Sequence, residues 1–335
     1  MSVNDQDATV NGRTTPDAPD WWIYRGTGRP IHDIDLAQIL PAPPPWRSYR
    51  GDPPPEHDVP PPDDGEAERR LGTAFTLSEQ DVDAGELNMV NAALYLRRPL
   101  LVTGNPGTGK SSLAYRIARE LGLGRVQAAA TEQAQTGEEA EEPPIGDFVR
   151  LGPLGTAFLP GRLPRVLLID ELDKSEADLP NDLLSIFEDG EFTIEELARA
   201  RNCHPEVTVH TADPQRTAIV RDGRIACRAF PVIIMTSNGE REFPPAFLRR
   251  CLQLRIENPD HDQLAAIVAS HLVGEDGEHR DSLIREFADR SKAEGGLPTD
   301  RLLDAVYLAT SGAYQPDQEA WPRLVDALWQ RLAVR

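Results

Sequence analysis

The stretch Gly104-Asn105-Pro106-Gly107-Thr108-Gly109-Lys110-Ser111 has the spacing GxxxxGK[ST], a pattern suited to gripping a polyphosphate. Its glycines let the backbone turn tightly and aim N–H groups at phosphate oxygens, and the positive end of the following helix faces the same anion. Lys110 is expected to reach the β- and γ-phosphates, the Ser111 hydroxyl to ligate Mg²⁺, and Ser112 to close the phosphate-binding run. A second landmark is Asp170-Glu171, which closes the apolar run Val166-Leu167-Leu168-Ile169. Asp170 suits a metal, generally through water, and Glu171 suits orienting and polarising an attacking water. A third is Asn238, whose amide donates to one oxygen while accepting from water, as a sensor of the terminal phosphate must. Two further positions offer guanidinium groups. Arg249-Arg250 is either surface charge or the source of an arginine donated across a subunit boundary, and Arg301 stands in the first turn of a helix from which it could contact the γ-phosphate.

Elements of the right kind surround each of these residues. Leu100-Leu101-Val102-Thr103 is an apolar strand before the glycine-rich loop, and residues 112–118 read as the helix after it. Residues 83–96 carry Leu87, Val90, Ala93 and Leu94 at helical spacing, and residues 125–129 suit a second strand. The run ending at Asp170 reads as a buried parallel strand that delivers carboxylates to its C-terminal edge. Residues 181–189 look helical and stop at Gly190. Asp222-Gly223 lies between two β-rich runs over residues 218–226, a hairpin signal. Residues 231–238 form another buried strand and residues 252–256 a fifth. Beyond Pro259, residues 261–272, 281–293, 301–310 and 321–332 repeat apolar positions at helical spacing, which makes a small α-domain.

The chain has 335 residues, 55 Asp+Glu against 35 Lys+Arg, and a formal charge of −20. That balance argues against a broad electrostatic footprint for nucleic acid and favours a protein partner. No apolar run approaches a membrane span, the N-terminus lacks a signal-peptide pattern, and three widely spaced cysteines fit a reducing cytoplasm. Residues 1–70 stand apart. Proline clusters at 41–45, 53–55 and 60–62 predict extended or disordered chain. Within that tract Trp21-Trp22-Ile23-Tyr24 is an aromatic cluster, suited either to docking on the chain's own core or to binding a partner. The neighbouring Gly26-Thr27-Gly28 is too short to define a second phosphate site. The acidic run Glu138, Glu139, Glu141 and Glu142 reads as solvated surface.

The order of GNPGTGKS, VLLIDE, TSN, FLRRC and LPTDR resembles AAA+ ATPases. The hairpin before the sensor strand, the insert after strand two and the phrases RLGPLGTAFLP and VLLIDELDKSEADLPNDLL look like the MoxR-like branch. The resemblance covers roughly residues 75–335. It implies an α/β P-loop NTPase core over residues 71–258, with a five-stranded parallel sheet in the order 5-1-4-3-2, and an all-α lid over residues 259–335. It further implies Walker A at Gly104 to Ser111, Walker B at Asp170 and Glu171, sensor 1 at Asn238, sensor 2 at Arg301, and a finger at Arg250 with Arg249 as rival. Such proteins hydrolyse ATP with Mg²⁺ at the subunit interfaces of hexameric rings, act as chaperone-like remodelling factors, and are linked with von Willebrand A domain partners. The insert over residues 131–152 departs from that pattern, being acidic and proline-containing, which puts a substrate-threading role in doubt. A switch whose ATP-bound assembly is itself the output, within a signalling or defence system, is the alternative, and a nucleic-acid motor is disfavoured by the charge.

Overall fold

A computed structural model describes residues 19–31, 35–54, 59–73, 75, 77, 82–129, 145–272, 278–294, 296–310 and 320–329. Strands β1 (Leu100–Thr103), β2 (Gln127–Ala129) and β3 (Val166–Ile169) come first. Next are β4 (Glu191–Thr193), β5 (Glu206–His210), β6 (Thr217–Arg221) and β7 (Arg224–Ala226), then β8 (Val232–Ser237) and β9 (Leu252–Arg255). The central sheet runs β2-β3-β8-β1-β9 with every pairing parallel. Numbered by its own five strands, that is the expected order 5-1-4-3-2. All of β3 and β8 is buried, as the apolar run Val166–Ile169 and the start of β8 require when both faces are covered. Leu100 pairs with Ile234 on one side and Leu252 on the other, so the loop after β1 emerges between Asn238 and the end of β9.

The remaining strands form an antiparallel sheet, β4-β7-β6-β5, inserted between β3 and β8. Asp222 and Gly223 make its tight turn, both at positive φ, and Arg221 faces Arg224 across it. The helices are α1 (Leu36–Ile39), α2 (Glu66–Leu71), α3 (Ala84–Leu96), α4 (Ser112–Glu120), α5 (Pro153–Ala157) and α6 (Leu179–Asp189). They continue with α7 (Glu195–Ala200), α8 (Pro245–Leu248), α9 (His261–His271), α10 (Glu278–Glu294), α11 (Thr299–Thr310) and α12 (Ala320–Trp329). Asp260 and Gln263 form a reciprocal capping box that starts α9. The group α9–α12 buries its own core of Leu264, Val268, Phe287, Leu302 and Trp329, with Phe287 edge-on to Trp329 at 5.4 Å. Among the described residues no helix is long and apolar enough to cross a membrane.

The aromatic N-terminal cluster docks on the chain's own α3 and α4. Tyr24 is fully buried, its hydroxyl donates to Glu86 Oε1 at 3.0 Å, and Arg116 Nη2 donates to Glu86 Oε2 at 2.6 Å. The Asn91 amide accepts from the N–H groups of Ile23 and Tyr24 and donates to the Tyr24 carbonyl. The N–H groups of Arg25, Gly26 and Gly28 close around the Glu120 carboxylate. That loop holds an anion, but the anion is the chain's own. A Cβ at Gly28 would lie 2.9 Å from the Phe75 ring, so the segment sits directly behind the linker that follows α2. The acidic run at Glu138, Glu139, Glu141 and Glu142 lies outside the described residues.

Candidate active site

The P-loop turns between β1 and α4 beneath a cavity of about 790 Å³. Gly107 shows why the loop needs glycine: its φ is +77°, and a Cβ there would lie 2.2 Å from Pro298 Cα. Lys110 is buried and folded back, its Nζ donating to the carbonyls of Gly104 at 3.0 Å and Asn105 at 2.7 Å. Burial lowers its pKa, opposed by the nearby Asp170, Asp173 and Glu171 carboxylates. A retracted ammonium held by two neutral carbonyls is free to exchange them for phosphate oxygens. Thr108 Oγ1 donates to the Asn105 carbonyl and Asn105 donates to Asn258, which ties the loop to the chain after β9. Ser112 begins α4 beside Ser111 and also lines the cavity, with Pro106 and Gly109.

Ser111 makes no cap bond with its side chain. Its Oγ instead donates to Asp170 Oδ1 at 2.7 Å. Two hard oxygen donors thus meet at the ends of α4 and β3, a set that fits Mg²⁺, which takes one or two protein oxygens and completes its shell with water and phosphate. Among the described residues no cluster of three or more His, Cys, Asp or Glu could hold a metal without such help.

Thr236 on β8 bridges Asp170 and Glu171. Its hydroxyl donates to the same Asp170 oxygen and accepts from the Glu171 N–H at 2.9 Å. The accepted bond holds Glu171 at φ 51°, a left-handed backbone uncommon for a non-glycine residue. The Glu171 carboxylate is half exposed and accepts from Lys174 Nζ at 2.7 Å. Two residues after Thr236 and just past the end of β8, Asn238 lines the cavity, and its N–H donates to Asp173 Oδ2 at 2.9 Å, as does that of Glu240. Burial pushes the Asp173 carboxyl up, but those N–H groups and the Ser237 hydroxyl outweigh it and leave Asp173 below its ordinary value. The loops after β3 and β8 are therefore one hydrogen-bonded unit.

Away from the phosphate loop the lining is mixed: apolar Phe75, Leu77, Val82, Ile256, Ile267 and Leu303 stand among polar Arg70, Glu86, Arg116, Gln263 and His271. Thr299 Oγ1 donates to the Gly107 carbonyl at 2.8 Å, seating the start of α11 on the P-loop. The arginines lie elsewhere. Arg301 does not line the cavity: its Nη1 donates to the Leu328 carbonyl at 2.6 Å, inside the helical group, while its neighbours Thr299 and Asp300 face the loop. Successive helical residues diverge by about 100°, so membership of the first turn does not decide the face. Arg250 donates to Glu188 Oε1 at 2.6 Å and to the Ala246 carbonyl, and Arg249 to the Pro245 carbonyl, both away from the cavity. Sequence reasoning missed Thr236, Asp173, Lys174 and the linker wall. Thr236 had a signal, since residues two apart on a strand share a face with each other.

Sheet order, glycine-rich loop and paired acids together make an α/β core of P-loop type. Residues 99–251 match the AAA domain of the dynein-related subfamily. Among solved structures, the chain is similar to NtrX from Brucella abortus bound to ADP, at 12% identity and TM-score 0.40, over 76% of this chain and 56% of that one. It thus spans little more than half of the NtrX chain. It is also similar to a RuvB variant from Thermotoga maritima, at 16% identity and TM-score 0.44, over 77% of this chain and 72% of that one. A third likeness is to a chain of the E. coli HORMA:CdnC:Trip13 complex, at 17% identity and TM-score 0.40, over 87% of this chain and 98% of that one. A comparison with curated proteins finds no match.

Proposed function

We propose that this chain is a cytoplasmic, MoxR-like ATP hydrolase that works as a homo-oligomeric ring, a hexamer by resemblance, and remodels a protein partner. A von Willebrand A domain protein is the partner class the resemblance suggests. The observation that carries the reading is the convergence of Lys110, Ser111, Asp170, Glu171 and Asn238 on one cavity, with Thr236 joining the two acids. In this reading the P-loop N–H groups and Lys110 bind the triphosphate of ATP, and the apolar residues of the wall, Phe75, Leu77, Val82, Ile256, Ile267 and Leu303, take the base. Ser111 and Asp170 would hold Mg²⁺, which when bound supplies charge neutralisation on phosphate oxygens. Glu171 leaves Lys174 to orient and polarise the attacking water, and Asn238 contacts the terminal phosphate.

Arg250 and Arg301 enter only with movement. Arg250, at the protein surface and paired with Glu188, is the finger offered to a neighbouring subunit, with Arg249 as its rival. Arg301 becomes a sensor once the helical group turns its first helical face toward the loop. A second reading, an assembly switch with little turnover, is favoured by the Glu171–Lys174 pair, which occupies the carboxylate that hydrolysis needs.

The test is ATP turnover against protein concentration for wild type, Glu171→Gln and Arg250→Ala, with particle size followed in parallel. Turnover per subunit that rises with assembly and is lost in both variants, with ATP binding retained, supports the ring hydrolase. Assembly driven by ATP without turnover supports the switch, and turnover independent of concentration removes the shared site.

A further inference from the structure

Where the central strands begin, opposite the P-loop, the proline-rich segment closes over a second cavity of about 460 Å³. Pro41, Pro43 and Pro54 roof it, Leu163 and Pro164 precede β3, and Phe230 precedes β8. Tyr49 and Phe230, stacked at 5.0 Å with 18° between their planes, form an aromatic wall. Three arginines line the cavity, Arg97, Arg162 and Arg228, and among the described residues no carboxylate does. That is unusual in a chain where acids outnumber Lys and Arg by 55 to 35. Arg162 is already paired with Asp35.

Arg97 is the centre of this site. It follows α3 at φ 53°, where a helix end in left-handed backbone ordinarily takes glycine or asparagine. It is 9% exposed, Nη2 donates to the Pro41 carbonyl at 2.6 Å, and Nη1 is buried with no hydrogen-bond partner among the described residues. Burial lowers its pKa, opposed only in part by the nearby Tyr49, and among the described residues no carboxylate offsets it. A buried cation of this kind is costly unless an anion completes it, and an unsatisfied buried donor in a native fold calls for a cause.

We propose that this cavity binds a small organic anion, its phosphate or carboxylate lodged against Arg97 with exposed Arg228 at the mouth, and its apolar body against Tyr49 and Phe230. The volume lies within the roughly 300–1,000 Å³ of ordinary ligand sites. The inference stands apart from the nucleotide reading, because none of these residues lines the P-loop cavity. It also gives the proline-rich segment a purpose as the roof.

Phenyl phosphate, a dianion on a flat apolar body, is the probe, with benzoate as the carboxylate arm. Each is titrated into the full chain with ADP present to fill the P-loop, and both the thermal midpoint and heat of binding are followed. Wild type gains thermal stability with one of the probes, Arg228→Ala binds it about tenfold more weakly, and Arg97→Gly, which suits the left-handed backbone, does not respond. Because Arg228 is exposed, its variant keeps the test valid even if Arg97→Gly fails to fold. No response of wild type to either probe, or an unchanged response in Arg228→Ala, overturns the proposal.

Discussion

At the C-terminal edge of the central sheet, Asp170 is met by two hydroxyls and Glu171 is held by its own N–H, whereas at the N-terminal edge Arg97 is buried with one terminal nitrogen unsatisfied. Both edges are built from loops that leave the same parallel strands. The first gathers carboxylates around a lysine and is preorganised for a cation and a polyphosphate. The second gathers guanidinium groups, and among the described residues no carboxylate lines it. Preorganisation at one edge rests on local bonds within and between neighbouring strands. At the other it rests on a segment that returns from far away in sequence to form a roof.

Glu171→Gln gives the largest effect at the first edge: turnover falls by roughly 10²–10⁴-fold while nucleotide affinity holds. Phosphate release beside a nucleotide-binding titration measures it, and equal loss of both would show that the edge is not organised for chemistry. Thr236→Val comes next. It leaves the part-buried Glu171 N–H without its protein acceptor, at a cost of about 1 kcal/mol of stability in urea unfolding, with turnover reduced about tenfold. Thr236→Ser restores both, and a Thr236→Val protein with wild-type turnover would uncouple the two acids.

Lys174→Ala frees the Glu171 carboxylate. The pair is exposed, so its release is worth under about 1 kcal/mol, and basal turnover rises by at most about fivefold in the same assay. The smallest effect lies on neither edge. Arg69 and Arg70 hold Glu66 on α2 down to about 2, against partial burial that pushes it up. Its stabilisation is present above the ordinary carboxylate value and disappears as pH falls toward about 2. Solvent screening keeps it under about 1 kcal/mol. Glu66→Gln therefore lowers the thermal midpoint slightly at neutral pH and not at all in strong acid or high salt.

The first edge was legible in the sequence because its chemistry is local. Strand, glycine-rich loop and helix adjoin in the chain, and each acid or amide ends an apolar run whose burial forces it to the sheet edge. The facing of Arg301 was not legible, since the first turn of α11 presents Thr299 and Asp300 to the P-loop and sends Arg301 toward Leu328. The linker wall was hidden for another reason: Phe75 and Leu77 meet Ile256 and Leu303 only in three dimensions. Prolines announced extended chain in the N-terminal segment but named no partner. Glu120 meets Gly28 across 92 residues, and no periodicity encodes such a pairing.

The bond from Thr299 to the Gly107 carbonyl has one more consequence. The helical group is fastened to the same turn of backbone that must wrap a phosphate, and Pro298 rests on that turn. Whatever reshapes the turn shifts α11, and whatever pulls on α11 loosens the turn. The dwell time of a nucleotide and the tilt of the helical group are then one coordinate, so a load applied to the outer helices would set how fast spent nucleotide leaves.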